Sequence, residues 1–260
     1  MNLKEKRMLE ILKKLKLEFD VYGVKAEFEA EGTRKDELMR LAELVYRVEL
    51  NLVIKIGGCE ALSDLQECKN FGANGIVAPM IETPYAMKKY MQIIDRVYTK
   101  EEQEDLKIIF NGETITCFEN FDEILDVGKG KITNVAIGRV DFSSSMGLER
   151  SQINSSEVFE KVKILAQKSK QKNLQVGIGG GIDINAVSFI KNLESNIDSF
   201  ETRKIIFNNV ENRDFNESLK LSTEFEILYL ENKRENYGRM YNEDVGRIGM
   251  MKERLEKLRL

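Results

Sequence analysis

Glu113 and Asp141 each follow a short apolar run, residues 106–110 for the first and 134–137 for the second. Both runs read as buried strands, so each acid falls where a strand opens into a loop. Two carboxylates brought together at strand ends repel unless a proton or a cation neutralises them. Hard oxygen ligands completed by water suit Mg²⁺ or Mn²⁺. The alternative for either acid is a helix cap.

Other residues could join them. Lys55 lies between Ile54 and Ile56 and just before Gly57 and Gly58. It could bind an anionic substrate, pair with Glu27, or, if desolvation lowered its pKa, form a Schiff base with a carbonyl. Lys25, Glu27 and Glu29 alternate along one side of a strand, where charges are costly unless paired or functional. Arg139, two residues before Asp141, would share its side of a continuing strand and stabilise oxyanion charge or pair with an acid. Ser143, Ser144 and Ser145 would rim the same end of the barrel. Gly179 and Gly180, in Gly177-Ile178-Gly179-Gly180-Gly181, form a glycine-rich turn whose free amides suit phosphate or carboxylate.

These residues need a scaffold that gathers strand ends. Strand-like runs at 21–28, 52–56, 75–80, 106–110, 134–137, 174–178 and 203–207 are rich in Val and Ile, as parallel strands covered by helices should be. Helical patterns alternate with them at 34–49, 62–71, 84–97, 121–127, 157–172 and 185–193, with start signals at Thr33, Pro84, Ser155 and Asp183. Repeated βα units predict a (β/α)₈ barrel or an open doubly wound sheet. The pattern locates seven strands and no eighth. A basic amphipathic helix at 1–17 precedes them, and a helical tail at 215–260, weakest near Tyr237 and Gly238, follows. That tail reads either as an outer barrel helix or as a subunit contact. No linker or composition break divides residues 1–260, so one domain is expected.

Composition narrows the chemistry. The chain has 260 residues, 42% hydrophobic and 32% charged, with a net charge of −4. That charge argues against a nucleic-acid partner. No apolar run is long enough to span a bilayer, and the first residues lack a secretory apolar stretch. Three cysteines without metal-ligand spacing suggest reduced thiols in a cytoplasm. There is no histidine. Ser-His-Asp catalysis, His-ligated zinc and a His base are thereby excluded.

In order along the chain, Val53-Ile54-Lys55-Ile56-Gly57-Gly58, Gly75-Ile76-Val77-Ala78-Pro79-Met80-Ile81-Glu82-Thr83, Gly112-Glu113-Thr114 and Gly138-Arg139-Val140-Asp141-Phe142-Ser143-Ser144-Ser145-Met146-Gly147 resemble the HpcH/HpaI aldolase/citrate lyase family. The resemblance is good over 53–147 and loose over 177–181. It implies a barrel that binds Mg²⁺ or Mn²⁺ through Glu113 and Asp141, and a metal-stabilised enolate of an α-keto acid or related carboxylate in a C–C lyase. Lys55 and Arg139 would hold substrate oxygens, and a 142–147 loop would close over the carboxylate. Lys55 stands where family aldolases carry an arginine, a point charge in place of a fork. The histidine base of the aldolase branch is also missing, which leaves Glu27 or a metal-bound water. A Schiff-base aldolase using Lys55 and a catalytically silent metabolite-binding barrel are the alternatives. A homo-oligomer is expected.

Overall fold

The computed structural model describes residues 1–208 and 214–257. The strands are β1 (Val21–Glu27), β2 (Asn51–Lys55), β3 (Gly75–Ala78), β4 (Lys107–Asn111), β5 (Asn134–Gly138), β6 (Gln175–Gly179), β7 (Ser199–Glu201) and β8 (Ile205–Asn208). They close into one barrel in chain order. The helices are α1 (Leu3–Phe19), α2 (Lys35–Arg47), α3 (Leu62–Asn70), α4 (Pro84–Val97), α5 (Lys100–Glu104), α6 (Ile115–Glu119), α7 (Phe121–Gly128), α8 (Arg139–Ser145), α9 (Ser156–Gln171), α10 (Val187–Leu193) and α11 (Phe215–Lys257).

Strands β1 to β7 run parallel, but β8 is antiparallel to both β7 and β1. The cause is local. Only Thr202, Arg203 and Lys204 separate β7 from β8, too few for a crossover helix, so the chain must turn back as a hairpin. Thr202 clamps the turn: its amide donates to the Ile205 carbonyl at 2.9 Å and its Oγ1 accepts from the Ile205 amide at 3.1 Å. β7 is the strand that the sequence pattern did not locate. With one apolar residue among Ser199, Phe200 and Glu201, it carries almost no hydrophobic signal.

The reversal redirects the tail. β8 descends from the charged mouth, so α11 climbs back toward it. There it packs antiparallel on α1 through Lys14–Glu217 and Arg7–Glu224 and an Asn2–Asn232 hydrogen bond. Helix α11 continues through Gly238, where a weak point was expected. Residues 258–260 of the expected tail lie outside the described residues.

Most apolar burial lies between the outer face of the barrel and the helices. A separate small cluster of Val53, Val77, Ile109 and Ile206 faces the barrel axis. Helix starts follow capping chemistry: Thr83 caps α4 with Pro84 in its first turn, and Ser155 caps α9. Thr33 was expected to cap α2, but Arg34 occupies the cap position and Thr33 Oγ1 is buried without a hydrogen bond.

Candidate active site

The C-terminal ends of the strands enclose a cavity of about 460 Å³. Alternation along each strand turns Lys25 and Glu27 of β1, Lys55 of β2, Asn111 of β4 and Glu201 of β7 into it, and Glu113 and Asp141 follow β4 and β5. In barrels of this type the strand C-terminal ends carry the chemistry.

Glu113 is buried, at 2% exposure. Its Oε1 accepts from the Met80 amide at 3.0 Å and its Oε2 from Asn111 Nδ2 at 2.8 Å. Lys55 Nζ stands 3.8 Å from Oε2. Burial pushes the Glu113 carboxyl above its ordinary range, and the Asp141 charge adds to this against Lys55 and the Met80 amide. Gly138 leaves the necessary room, because a Cβ there would lie 3.0 Å from Glu113 Oε2. Met80 offers its amide from a left-handed backbone, φ 52°, a strained conformation for a non-glycine residue.

Asp141 lies in the first turn of α8 and is exposed to the cavity. Among the described residues it makes no hydrogen bond or ion pair. The donor set thus contains one buried carboxylate held at both oxygens and one open carboxylate, and the two repel. That arrangement suits a hard divalent cation. No cluster of three or more His, Cys, Asp or Glu groups occurs among the described residues, so such an ion would take its remaining ligands from water and substrate, as Mg²⁺ commonly does.

Opposite lies a buried triad. Lys25 Nζ is 3.4 Å from Glu27 Oε1 and bonds directly to Glu201 Oε1. Burial pulls the Lys25 pKa down, but Glu201 and Glu27 together outweigh it and hold the ammonium above its ordinary value. Lys25 is therefore a fixed cation and a poor nucleophile. Gly179 serves Glu201 as Gly138 serves Glu113: a Cβ on it would lie 2.9 Å from Glu201 Oε1.

Several expected contributors lie elsewhere. Arg139 is wholly buried in the barrel wall. Its guanidinium donates to the carbonyls of Gly179, Gly180 and Gly181 and to Asn154, and stacks on Phe189. The expected side was wrong because β5 ends at Gly138 and a helix begins at residue 139, so strand alternation no longer applies. The segment after Asp141 is likewise helix α8 rather than a closing loop. Ser143 Oγ donates to the Val140 carbonyl and Ser145 Oγ to that of Phe142, while Ser144 is exposed outside the cavity. Gly180 and Gly181 line the cavity in left-handed conformations; Gly179 lies under Glu201. Glu29 falls beyond β1, exposed. Burial raises Cys117 to about 12, Cys68 still higher, and the half-buried Cys59 as well, so none of the three is poised as a thiolate.

Glu201, Asn111 and Arg150 belong to the cavity and were not singled out from sequence. Arg150, in a single 3₁₀ turn after α8, makes no ion pair among the described residues. The other cavity cations face carboxylates: Lys25 the triad acids, Lys55 Glu113, and Arg203 Glu31. An Asn two residues before a strand-end Glu was the available signal for Asn111.

The family model for HpcH/HpaI aldolase/citrate lyase matches residues 35–186, which is more than half of the chain and spans β2 to β6 with both Glu113 and Asp141. The chain belongs to the HpcH/HpaI aldolase/citrate lyase family. Solved structures share the barrel. An HpcH/HpaI aldolase from Desulfitobacterium hafniense DCB-2 superimposes with a TM-score of 0.61 at 14% identity, over 77% of this chain and 83% of that one. An HpcH/HpaI aldolase/citrate lyase family protein from Burkholderia cenocepacia J2315 gives 0.62 at 15%, over 78% and 84%. Macrophomate synthase gives 0.58 at 14%, over 77% and 83%. At such identities the likeness concerns the fold. No curated protein sequence matches the chain. Among the described residues, no helix of this family member is long and apolar enough to cross a membrane.

Proposed function

We propose that the chain is a divalent-metal-dependent carbon–carbon lyase acting on an α-keto acid or related carboxylate, with Glu113 and Asp141 holding Mg²⁺ or Mn²⁺. The observation that carries this is the pairing of a buried Glu113, whose charged form burial disfavours, with an Asp141 that has no partner among the described residues, over one cavity. A divalent ion bound there supplies Lewis-acid stabilisation of the negative charge that develops on the substrate oxygen as the C–C bond breaks or forms.

The chain's own groups do the rest. Asn111 and the Met80 amide fix the rotamer of Glu113, so the carboxylate is oriented before substrate arrives. Lys55, beside Glu113, attracts the substrate carboxylate as a point charge. Arg150 offers a planar fork to the same anion or to a second acidic group. Glu27 and Glu201 share one ammonium between two carboxylates, so the triad carries net negative charge and can accept a proton. Glu27 is the base in this reading, and the proton it takes is returned when the carbanionic carbon is quenched. Lys55 already faces a carboxylate, which favours electrostatic binding over a Schiff base.

The reading extends to one barrel domain acting as a homo-oligomer in a reducing cytoplasm; the three free cysteines support the last of these alone. The test is a screen of keto acids and aldehydes for C–C cleavage or condensation that needs added Mg²⁺ or Mn²⁺ and stops with chelator. Metal-independent turnover with a borohydride-trapped adduct at Lys55 would replace this mechanism with the Schiff-base one.

A further inference from the structure

Below the charged mouth the barrel bore is hollow. Barrels of this kind usually fill their axis with bulky branched side chains from alternate strands. Here Val53, Val77, Ile109 and Ile206 occupy one side, while Ala136, Gly177 and Ser199 on three consecutive strands are too short to reach across. A cavity of about 270 Å³ remains, close to the lower end of ordinary ligand pockets at roughly 300 Å³. Its upper boundary, Ala136 and Glu201, is shared with the mouth cavity. Its foot is ringed by Lys107, Asn134, Gln175, Asp198 and Asn208, at the opposite end of the barrel.

Two features of that foot call for a polar occupant. Asn134 Oδ1 is buried with no hydrogen-bond donor, although its Nδ2 is used on Gln175 at 3.1 Å. Lys107 Nζ reaches only Gln175 Oε1, at 3.4 Å, and makes no ion pair among the described residues; Asp198, the carboxylate on the same rim, is taken by Lys170 and by the Val176 amide at 2.6 Å. Cavities that stay empty are apolar, whereas a buried unpaired acceptor is satisfied by water or ligand. The bore therefore presents an aliphatic wall, one cation without an ion pair and one open acceptor, while the two carboxylates of its lining, Asp198 and Glu201, are already bound to Lys170 and Lys25.

We infer that the barrel bore is a second ligand site, separate from the mouth, for a small aliphatic carboxylate with a hydrogen-bond donor on the neighbouring carbon. The carboxylate meets Lys107, the donor (a hydroxyl or an ammonium) meets Asn134 Oδ1, and the aliphatic chain lies against Val53, Val77 and Ile206. The inference does not rest on the metal-dependent reading of the mouth.

The test is calorimetric titration of the full chain, in chelator, with 2-hydroxyisocaproate, with leucine, and with 4-methylpentanoate, which lacks the donor. Saturable binding is expected for one of the first two, stronger than for the third. Lys107→Gln should weaken it by about tenfold, the loss of one charge-assisted contact, and Val77→Phe should abolish it by filling the bore. Lys55→Gln, at the mouth, should leave it unchanged. Should Val77→Phe fail to fold, Lys107→Gln decides alone, since its side chain lies at the partly exposed barrel foot. Absence of saturable binding by all three compounds overturns the site, meaning that water alone fills the bore. So does binding that survives Lys107→Gln, or that disappears in Lys55→Gln.

Discussion

Lys55 Nζ lies 3.8 Å from Glu113 Oε2, the one cation within ion-pair distance of that carboxylate among the described residues, and it opposes the upward push that burial gives the Glu113 carboxyl. Under the proposed function this pair would link the substrate anion to the metal ligand, with Lys55 serving both. Lys55→Arg should retain much of the activity, since a cation remains. Lys55→Met should raise KM by about tenfold or more with a smaller effect on kcat, as expected when a ground-state anion contact is lost. Steady-state kinetics on the substrate found by the screen measure the split. An unchanged KM in Lys55→Met would remove Lys55 from substrate binding.

Glu31 ties the β1 loop to the β7–β8 hairpin through Arg203 and the buried Lys204. Burial works to raise its carboxyl, but Lys204 and Arg203 outweigh that and hold it below the ordinary range. A depressed carboxylate contributes stability that is present above its unfolded pKa, about 4.3, and lost as pH falls through its lower folded value. Glu31→Gln leaves the buried Lys204, whose pKa burial already lowers, without its partner, and should cost about 3 kcal/mol at pH 7. The gap between variant and parent should shrink as pH falls below 4 or so. Urea unfolding at both pH values checks the sign, and a gap that widens in acid contradicts it.

Gly179 has no room for a side chain under Glu201. Gly179→Ala should destabilise by about 1–3 kcal/mol and push Glu201 off Lys25, with a loss of activity larger than the stability change implies. Full activity in a folded Gly179→Ala protein would show that the triad tolerates displacement.

Met80 holds a left-handed backbone to aim its amide at Glu113. Met80→Gly should stabilise the metal-free protein by about 1 kcal/mol, the strain relieved less the added freedom of the unfolded chain. Thermal melts with chelator measure this, and a lowered Tm would mean that the strain is compensated locally.

The parts of the fold readable from sequence were those whose physics is repetitive. Val and Ile runs covered on both faces marked the parallel strands, and strand-end placement brought Glu113 and Asp141 to one cavity. β7 escaped because three residues with one apolar side chain have no periodicity. The reversal of β8 escaped with it, since the three-residue link becomes visible only once both strands are known, and Glu201 was hidden for the same reason. Arg139 was misplaced by a change of period at a single residue: a strand rule was carried one position into α8. The serines that follow read as loop, yet two of them spend their hydroxyls on carbonyls within that helix.

The most direct measurement is a calorimetric titration of the metal-free protein with Mg²⁺ and Mn²⁺, repeated with Glu113→Gln, Asp141→Asn and the double variant. One ion per chain should bind the parent, and each single variant should lose that binding with its fold intact, because amides are weak Mg²⁺ ligands beside carboxylates. Since burial raises the Glu113 carboxyl, protons should compete with the ion, so that affinity falls as pH is lowered. Stoichiometric metal binding retained by the double variant, with the same pH dependence as the parent, would contradict the account.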